Sequence, residues 1–409
     1  MINSNLKVSI IGQGYVGQTL AVGAANSGFS VVGFDVNKEL ISNLTKGKSF
    51  VPGVSREILD TIIKSHSYLP TENPELMDNS QIIVIAVPTP IDKDRNPDLT
   101  FVVKACESIS KYVKSPALII SESTSYPGTL RNLIKPTIKK NSKVRFEYAV
   151  APERVDPGNE KWNLKNTTRV ISGLTESATK NAVSFYANFC ESIYQASSPE
   201  VAEAAKLLEN TFRQVNIALV NEFSSIMSNL DISANDVVDA AASKPFGFMR
   251  FVPSIGVGGH CIPVDPEYLT YFAKSLGVNS PLTSTANKIN FERPAQVVDL
   301  IEKHLASGLK GKRLQVVGIA YKSGVLDIRE SPAIELILEL RKTGAVVSWH
   351  DPVVNEWQGE KTTPLDPTVD LGLVLTPHRE IDFSIWKNSN TRVFDLSVSS
   401  TDLGWPRIL

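Results

Sequence analysis

Residues 6 to 35 constrain the fold of this chain more than any other stretch. Leu6 to Ile11 is a short apolar run, suited to a buried parallel strand. Gly12-Gln13-Gly14-Tyr15-Val16-Gly17 follows, then a small, apolar segment from Thr19 to Ser27 that suits a helix packed on a sheet, closed by Gly28. Val31 to Phe34 reads as a second strand, with Asp35 at its end, 18 residues after Gly17. A lone GxGxxG says little. Set between a strand and a helix, with an acid ending the next strand, it predicts a dinucleotide-binding βαβ unit. The glycines let the backbone approach a pyrophosphate, which the helix N-terminus then holds. Asp35 is expected to bond the ribose hydroxyls of the adenosine and to repel a 2′-phosphate, which favours NAD over NADP. The alternative is a structural turn with no ligand.

Three more apolar runs continue the pattern. Gln81 to Val87 ends in Pro88-Thr89-Pro90, Ala117 to Ile120 leads to Ser123-Thr124-Ser125-Tyr126-Pro127-Gly128-Thr129, and Phe146 to Ala151 leads to Pro152-Glu153-Arg154. In a doubly wound sheet the loops at strand C-termini line the ligand crevice. Thr89, Thr124 and Glu153 are therefore candidates to meet cofactor or substrate, and each would also serve as an ordinary cap or turn residue. Val170 to Gly173 and Glu191 to Tyr194 read as strands completing this domain.

From Ser198 to Leu230 the pattern becomes helical, with Pro199 at a favoured first-turn position and no further Pro or Gly. Leu208, Phe212, Val215 and Leu219 form an apolar face. Lys206, Asn210 and Arg213 have the same spacing on the other side, either a solvated surface or a buried polar stripe. Such a helix is a natural backbone between domains and a dimer element.

Gly256-Val257-Gly258-Gly259-His260-Cys261-Ile262-Pro263-Val264-Asp265-Pro266 is the densest chemistry in the chain. A thiol on a glycine-rich loop with a carboxylate four residues on suits covalent catalysis. The alternative is a buried, inert cysteine beside a turn. Just upstream, Lys244 to Phe251 holds Phe246, Phe248, Arg250 and Phe251, which could grip a base and a phosphate or anchor a small core. A further segment starts near Leu309. Arg313 to Tyr321 reads as a strand, Ser331 to Lys342 as a helix, and Ala345 to Trp349 as a strand leading to Asp351. That layout repeats residues 6 to 35 without GxGxxG, so a second dinucleotide is not expected there. Lys322 and Arg329 lie in its first loop, where a different phosphate could bind.

The bulk numbers narrow the function. A chain of 409 residues suggests two or three domains, and 42% hydrophobic with 21% charged residues is ordinary for a soluble protein. The net charge of −1 gives no basis for nucleic-acid binding. Cysteines 106, 190 and 261 form neither a disulfide framework nor a CxxC zinc site, and no metal is expected. No leader and no apolar run of about 18 residues is read, so a cytoplasmic location without membrane contact is expected.

Together these motifs closely resemble the UDP-glucose/GDP-mannose dehydrogenase family, NAD-dependent four-electron oxidoreductases of nucleotide sugars. The resemblance rests on the GxGxxG, Val87 to Pro90, Ser123-Thr124, Ala151 to Arg154, Lys206 to Asn210, Gly258 to Pro266, and Tyr321-Lys322 through Arg329 to Pro332. Lys244 to Met249 and Glu209 to Arg213 look most like members acting on UDP-N-acetylhexosamines. UDP-N-acetylglucosamine is expected ahead of UDP-N-acetylmannosamine, with UDP-glucose third. The resemblance implies an α/β fold of two Rossmann-like doubly wound domains joined by a long central helix and a helical dimerisation region. Its parts would be an NAD-binding domain over 1–197, a central domain carrying the cysteine loop over 198–308, and a UDP-binding domain over 309–409, assembled as a homodimer.

The implied roles follow the family motifs. Cys261 would form a thiohemiacetal and then a thioester. Lys206 and Asn210 would stabilise oxyanions, Asp265 would assist proton transfer with Lys206, and Glu153 and Thr124 would position the hydrolytic water. Gly12, Gly14, Tyr15, Val16, Gly17, Asp35, Thr89 and Thr124 would hold NAD. Glu153, Arg154, Lys206, Asn210, Arg213, Phe248, Arg250, Gly258, Lys322 and Arg329 would face the UDP-sugar. The chain departs from the pattern at Ser254, where the family usually has glycine, and at Leu326, often acidic; after Pro352 the similarity fades. Two rival readings remain at this stage. A two-electron dehydrogenase of the 6-phosphogluconate or hydroxyacid type leaves Cys261 without work, and a non-enzymatic NAD-sensing scaffold leaves all four polar site residues without work.

Overall fold

The structure is a computed structural model that describes residues 6–155, 159, 161–305, 307–399 and 401–409. The chain forms two compact units, Met1–Glu209 with Glu267–Gly277, and Asn210–Pro266 with Val278–Leu409.

The first unit is built on β1 (Lys7–Ile11), β2 (Ser30–Phe34), β3 (Tyr68–Thr71), β4 (Ile82–Ile85), β5 (Ala117–Ser121), β6 (Phe146–Val150), β7 (Arg169–Gly173) and β8 (Ile193–Gln195). They form one sheet in the order β3-β2-β1-β4-β5-β6-β7-β8, parallel except where β6 meets β7. The central strands β4 and β5 read as unbroken apolar runs because both faces are covered. Val8 and Ile10, with Val84 and Ile120, enter one core cluster, while Ile11, Ile83, Ile85 and Ile119 enter another. Strand β3 gave no sequence signal because it carries Pro70. It lies at the sheet edge, where a missing N–H is tolerated.

The predicted helix from Ser198 is a single helix, Pro199–Met227. Its polar side is buried: Glu203, Lys206, Asn210, Gln214, Asn221 and Ser224 are all under 9% exposed. Within the second unit this stripe meets a second long helix, Pro281–Leu305. Gln214 Nε2 donates to Asn287 Oδ1 at 3.1 Å, Asn221 Nδ2 donates to Asn290 Oδ1 at 2.9 Å, and Arg293 Nη2 donates to Ser224 Oγ at 3.0 Å. The Pro281–Leu305 helix was not legible in the sequence because amides and an arginine take the inward positions where an apolar stripe would be sought.

The second unit has β9 (Arg313–Val317), β10 (Val346–His350), the short pair β11 (Glu356–Trp357) and β12 (Glu360–Lys361), β13 (Leu371–Val374) and β14 (Arg392–Asp395). Its main sheet runs β10-β9-β13-β14, all parallel. Asp351, just past β10, is fully buried and accepts backbone N–H groups from Ile319, Ala320, Val353 and Val354 at 2.8–3.0 Å. His378 Nε2 stands 3.3 Å from the same carboxylate. The acid that a dinucleotide-binding unit offers to a ribose is here spent on its own loop. The fold is α/β with two Rossmann-like sheets.

Candidate active site

The three glycines after β1 have three separate jobs. Gly12 has φ +92°, and a Cβ there would lie 2.5 Å from the Ala86 carbonyl oxygen. A Cβ on Gly17 would lie 1.8 Å from the Gly12 carbonyl oxygen, so this glycine packs the helix Tyr15–Asn26 onto the loop. A Cβ on Gly14 would meet nothing within 4 Å. The second glycine thus opens space at a helix N-terminus, the cradle a pyrophosphate requires. Asp35 accepts the Gln13 and Asn37 N–H groups at 2.7 and 2.9 Å and remains only half-buried. Gln13 is a participant that the motif concealed. Its amide donates to Ile10 O at 2.9 Å and accepts the Tyr68 hydroxyl at 2.7 Å, which tethers the loop to β3. These residues fit NAD: Gly12 to Gly17 would lie against the pyrophosphate and Asp35 toward the adenosine ribose.

The loops after β4, β5 and β6 carry the other candidates of the first unit. Thr89, Thr124, Glu153 and Arg154 are all part-buried. Glu153 Oε1 accepts the N–H groups of Arg154 and Val155, and its Oε2 accepts Arg169 Nη1 at 2.8 Å. Burial pushes this carboxyl up. The Arg169 guanidinium, the Val155 N–H and the Lys206 charge outweigh burial and hold it at about 2. Arg154 pairs with Glu209 at 2.7 Å. Glu203, one turn before Lys206, accepts Gly128 N–H and Leu130 N–H at 2.6 and 2.9 Å, which secures the loop bearing Thr124. Sequence reading missed Glu203, Arg169 and Glu122, because their partners lie 16 to 75 residues away.

In the second unit, Asn210 Nδ2 donates to Asp265 Oδ2 at 2.5 Å, and Asp265 is 3% exposed. Asp265 is the first residue of the helix Asp265–Ser275, and its N–H donates to Cys261 O at 2.8 Å. Cys261 is half-buried. The glycines before it mainly serve the loop's own packing. A Cβ on Gly258 would lie 2.8 Å from Tyr321 Cβ and 2.9 Å from Pro332 Cδ, and one on Gly259, at φ +85°, would lie 2.9 Å from the Tyr321 ring. Both glycines thus stand where the chain itself comes close. Ser254 also finds a purpose: its N–H donates to Asn221 Oδ1 at 2.8 Å, its carbonyl accepts Arg293 Nε at 3.1 Å, and its hydroxyl donates to Gly256 O at 2.9 Å.

The peripheral candidates are less enclosed. Arg213 is exposed, and the buried polar stripe continues through Gln214 instead. Arg250 pairs with Asp239 at 2.7 Å, and Phe248 is exposed beside it in sequence. Arg329 forks onto Asp327, and Lys322 is part-buried in the same loop. Among the described residues no group of three or more His, Cys, Asp or Glu could hold a metal, and no helix is long and apolar enough to cross a membrane.

Residues 6–213 match the NAD binding domain of the UDP-glucose/GDP-mannose dehydrogenase family, residues 200–292 its central domain, and residues 315–397 its UDP binding domain. The chain belongs to this family. It is an NAD-dependent nucleotide-sugar dehydrogenase with a UDP-binding domain. The chain is 36% identical over 359 residues to the UDP-N-acetyl-D-glucosamine 6-dehydrogenase of Pseudomonas aeruginosa, covering 86% of this chain and 84% of the relative. It is 34% identical over 381 residues to a UDP-N-acetyl-D-mannosamine dehydrogenase of Methanococcus aeolicus, covering 91% and 85%. Among solved structures, the UDP-D-ManNAc dehydrogenase of Pyrococcus horikoshii superposes with a TM-score of 0.86 at 29% identity, covering 98% of each chain. In this dehydrogenase the first fingerprint and the UDP-binding sheet are thus two uses of one βαβ plan, one with an open glycine and one with its acid buried.

Proposed function

We propose that this dehydrogenase oxidises the C6 hydroxymethyl of a UDP-N-acetylhexosamine to the acid, with UDP-N-acetylglucosamine ahead of UDP-N-acetylmannosamine and UDP-glucose third. The observation that carries the mechanism is the part-buried Cys261 thiol on a glycine-locked turn, followed by the buried Asp265–Asn210 pair. The overall change is alcohol plus water plus two NAD to carboxylate, two NADH and three protons. NAD, when bound, takes up a hydride at each of the two oxidations. Cys261 Sγ adds to the C6 aldehyde as a thiohemiacetal, which becomes a thioester at the second oxidation. Asn210 and Lys206, four residues apart on one helix face, donate to the oxyanions. The Lys206 ammonium is assigned to favour the Cys261 thiolate, and Asp265 to assist proton transfer with Lys206. Glu153 and Thr124 orient the water that releases the acid and returns the thiol. Arg154, Phe248, Arg250, Gly258, Lys322 and Arg329 are assigned to the UDP-sugar.

Relatives named for both N-acetylhexosamines support that sugar class, and the order within it rests on the resemblance carried by Lys244 to Met249 and Glu209 to Arg213. An acetamido group adds one donor and one acceptor at C2. A site built to bond them rejects an analogue lacking them, because its own groups are left unpaired. Arg213 is assigned to the acetamido carbonyl or a sugar hydroxyl. Comparing kcat/KM across the three UDP-sugars is expected to give the order stated, with two NADH per acid. A preference for UDP-glucose would overturn the specificity and leave the four-electron reaction standing, whereas one NADH per substrate would remove the reaction itself.

The same reading includes a cytoplasmic homodimer. Leu208, Phe212, Leu219 and Ile226 leave 45–66% of their surface exposed along the helix Pro199–Met227, an apolar stripe suited to a second copy of the chain. Equilibrium sedimentation at micromolar concentration is expected to show a dimer. A monomer alone would refute the assembly.

A further inference from the structure

We propose that Arg169, held by Glu122 and Tyr186, is a positioning residue for Glu153, fixing it as a rigid hydrogen-bond acceptor for the hydrolytic water and not as a proton carrier. The inference rests on the reading that Glu153 orients that water.

Four residues of the first unit meet here. Glu122 directly follows β5, Glu153 lies three residues past β6, Arg169 opens β7, and Tyr186 ends the helix Glu176–Tyr186. Arg169 is 2% exposed. Its Nη1 donates to Glu153 Oε2 and its Nη2 to Glu122 Oε1, each at 2.8 Å. The guanidinium lies 4.9 Å from the centre of the Tyr186 ring, and the Tyr186 hydroxyl donates to Glu122 Oε1. One planar fork thus joins a fully buried carboxyl to one whose side chain keeps 12% of its surface exposed. With the Arg154 and Val155 N–H groups on its other oxygen, Glu153 is held from three directions.

A simple structural ion pair needs one carboxylate. The second one changes the electrostatics. Burial pushes Glu122 up to about 8, against the pull of Arg169 and with the repulsion of Glu153 adding to the rise. Glu153 is held at about 2, as derived above. Two carboxyl groups pushed this far apart take different roles. Glu122 keeps its proton near neutral pH, and Arg169 is left to neutralise Glu153 alone. The charged and titratable groups around the cluster are Glu122, Glu153, Arg169, Tyr186, Cys190 and Lys206. Glu153 therefore stays ionised throughout the working range. Its exposed edge can accept a hydrogen bond from a water that attacks the thioester carbonyl. The C–S bond then breaks, the sugar leaves as carboxylate, and Cys261 recovers its thiol with one proton released to solvent.

The test uses the full chain with NAD and the UDP-sugar that the wild type oxidises fastest. Arg169→Met combined with Glu122→Gln removes the guanidinium and its second carboxyl partner, leaving Glu153 with only the Arg154 and Val155 N–H groups. In a rapid-quench experiment this variant is expected to form two NADH per site in a normal burst and then to turn over about 100-fold more slowly, the scale of a misplaced reacting group. Mass spectrometry of the stalled protein is expected to show an acyl-sugar adduct on Cys261. Arg169→Lys keeps the charge but loses the fork. It is expected to retain the burst, slow acid release less, and shift the acid limb of the release rate to higher pH, because Glu153 then protonates sooner. If the double variant does not fold, Arg169→Lys decides. A burst that falls in step with turnover, or acid release at the wild-type rate, overturns the proposal. Glu153→Gln separates the two claims. If it releases acid normally, the role of Glu153 itself is wrong. If it stalls while the Arg169 variants do not, only the positioning role is wrong.

Discussion

Replacing Cys261 by alanine is expected to abolish acid formation, by roughly 10⁴- to 10⁶-fold, the scale of losing a nucleophile that acts within a catalytic set. The side chain is half-buried and changes little in volume, so the turn should survive. Its shape is set by Gly258 and Gly259 against Tyr321 and by the Asp265 N–H on Cys261 O, none of which involves the sulfur. NAD affinity is expected to stay within about twofold of wild type, since the dinucleotide cradle belongs to residues 12 to 35. Calorimetric titration of NAD and chromatographic detection of the acid check both halves. Normal acid production by the alanine variant would end the covalent assignment.

Gly17→Ala and Gly14→Ala are expected to fail in different ways. A Cβ on Gly17 would overlap a backbone carbonyl at 1.8 Å, and backbone cannot swing aside as a flexible side chain can. The helix Tyr15–Asn26 must shift, at a cost of about 3 kcal/mol or more, and thermal unfolding should show a large drop. Gly14 has φ −76°, which alanine adopts freely, and its Cβ would meet nothing within 4 Å. Stability should change by no more than about 0.5 kcal/mol. With Gly14 assigned to the pyrophosphate, the added methyl would meet it, so NAD binding should weaken by about 10-fold, roughly 1.4 kcal/mol. Wild-type NAD affinity in Gly14→Ala would mean that the cofactor lies elsewhere.

The candidate site was partly legible. Asn210 and Asp265 were both named from the sequence, and their hydrogen bond joins residues 55 apart. Lys206 and Asn210 were placed on one face by helical spacing alone, which left open whether that face was solvated, and both are buried. Arg213 shares the spacing but lies exposed, because periodicity places a side chain around an axis and says nothing about what covers it.

By itself the sequence determined whatever is encoded locally. Alternation of apolar runs with helical spacing specified the βαβ units, glycine marked turns and close approaches, and a thiol on a glycine turn pointed to the proposed chemistry. Tertiary structure alone decided what each such position is for. Gly258 and Gly259 are glycine because Tyr321 and Pro332 press on them. Asp35 and Asp351 end equivalent strands, yet the first stays half open while four backbone N–H groups and His378 enclose the second. Arg169 looks like a charged residue opening an edge strand until the antiparallel pairing of β7 with β6 brings it to Glu153 and Glu122. These partnerships depend on strand order and on chain segments far apart in sequence. No window of residues contains both members, so only the assembled sheet can pair them.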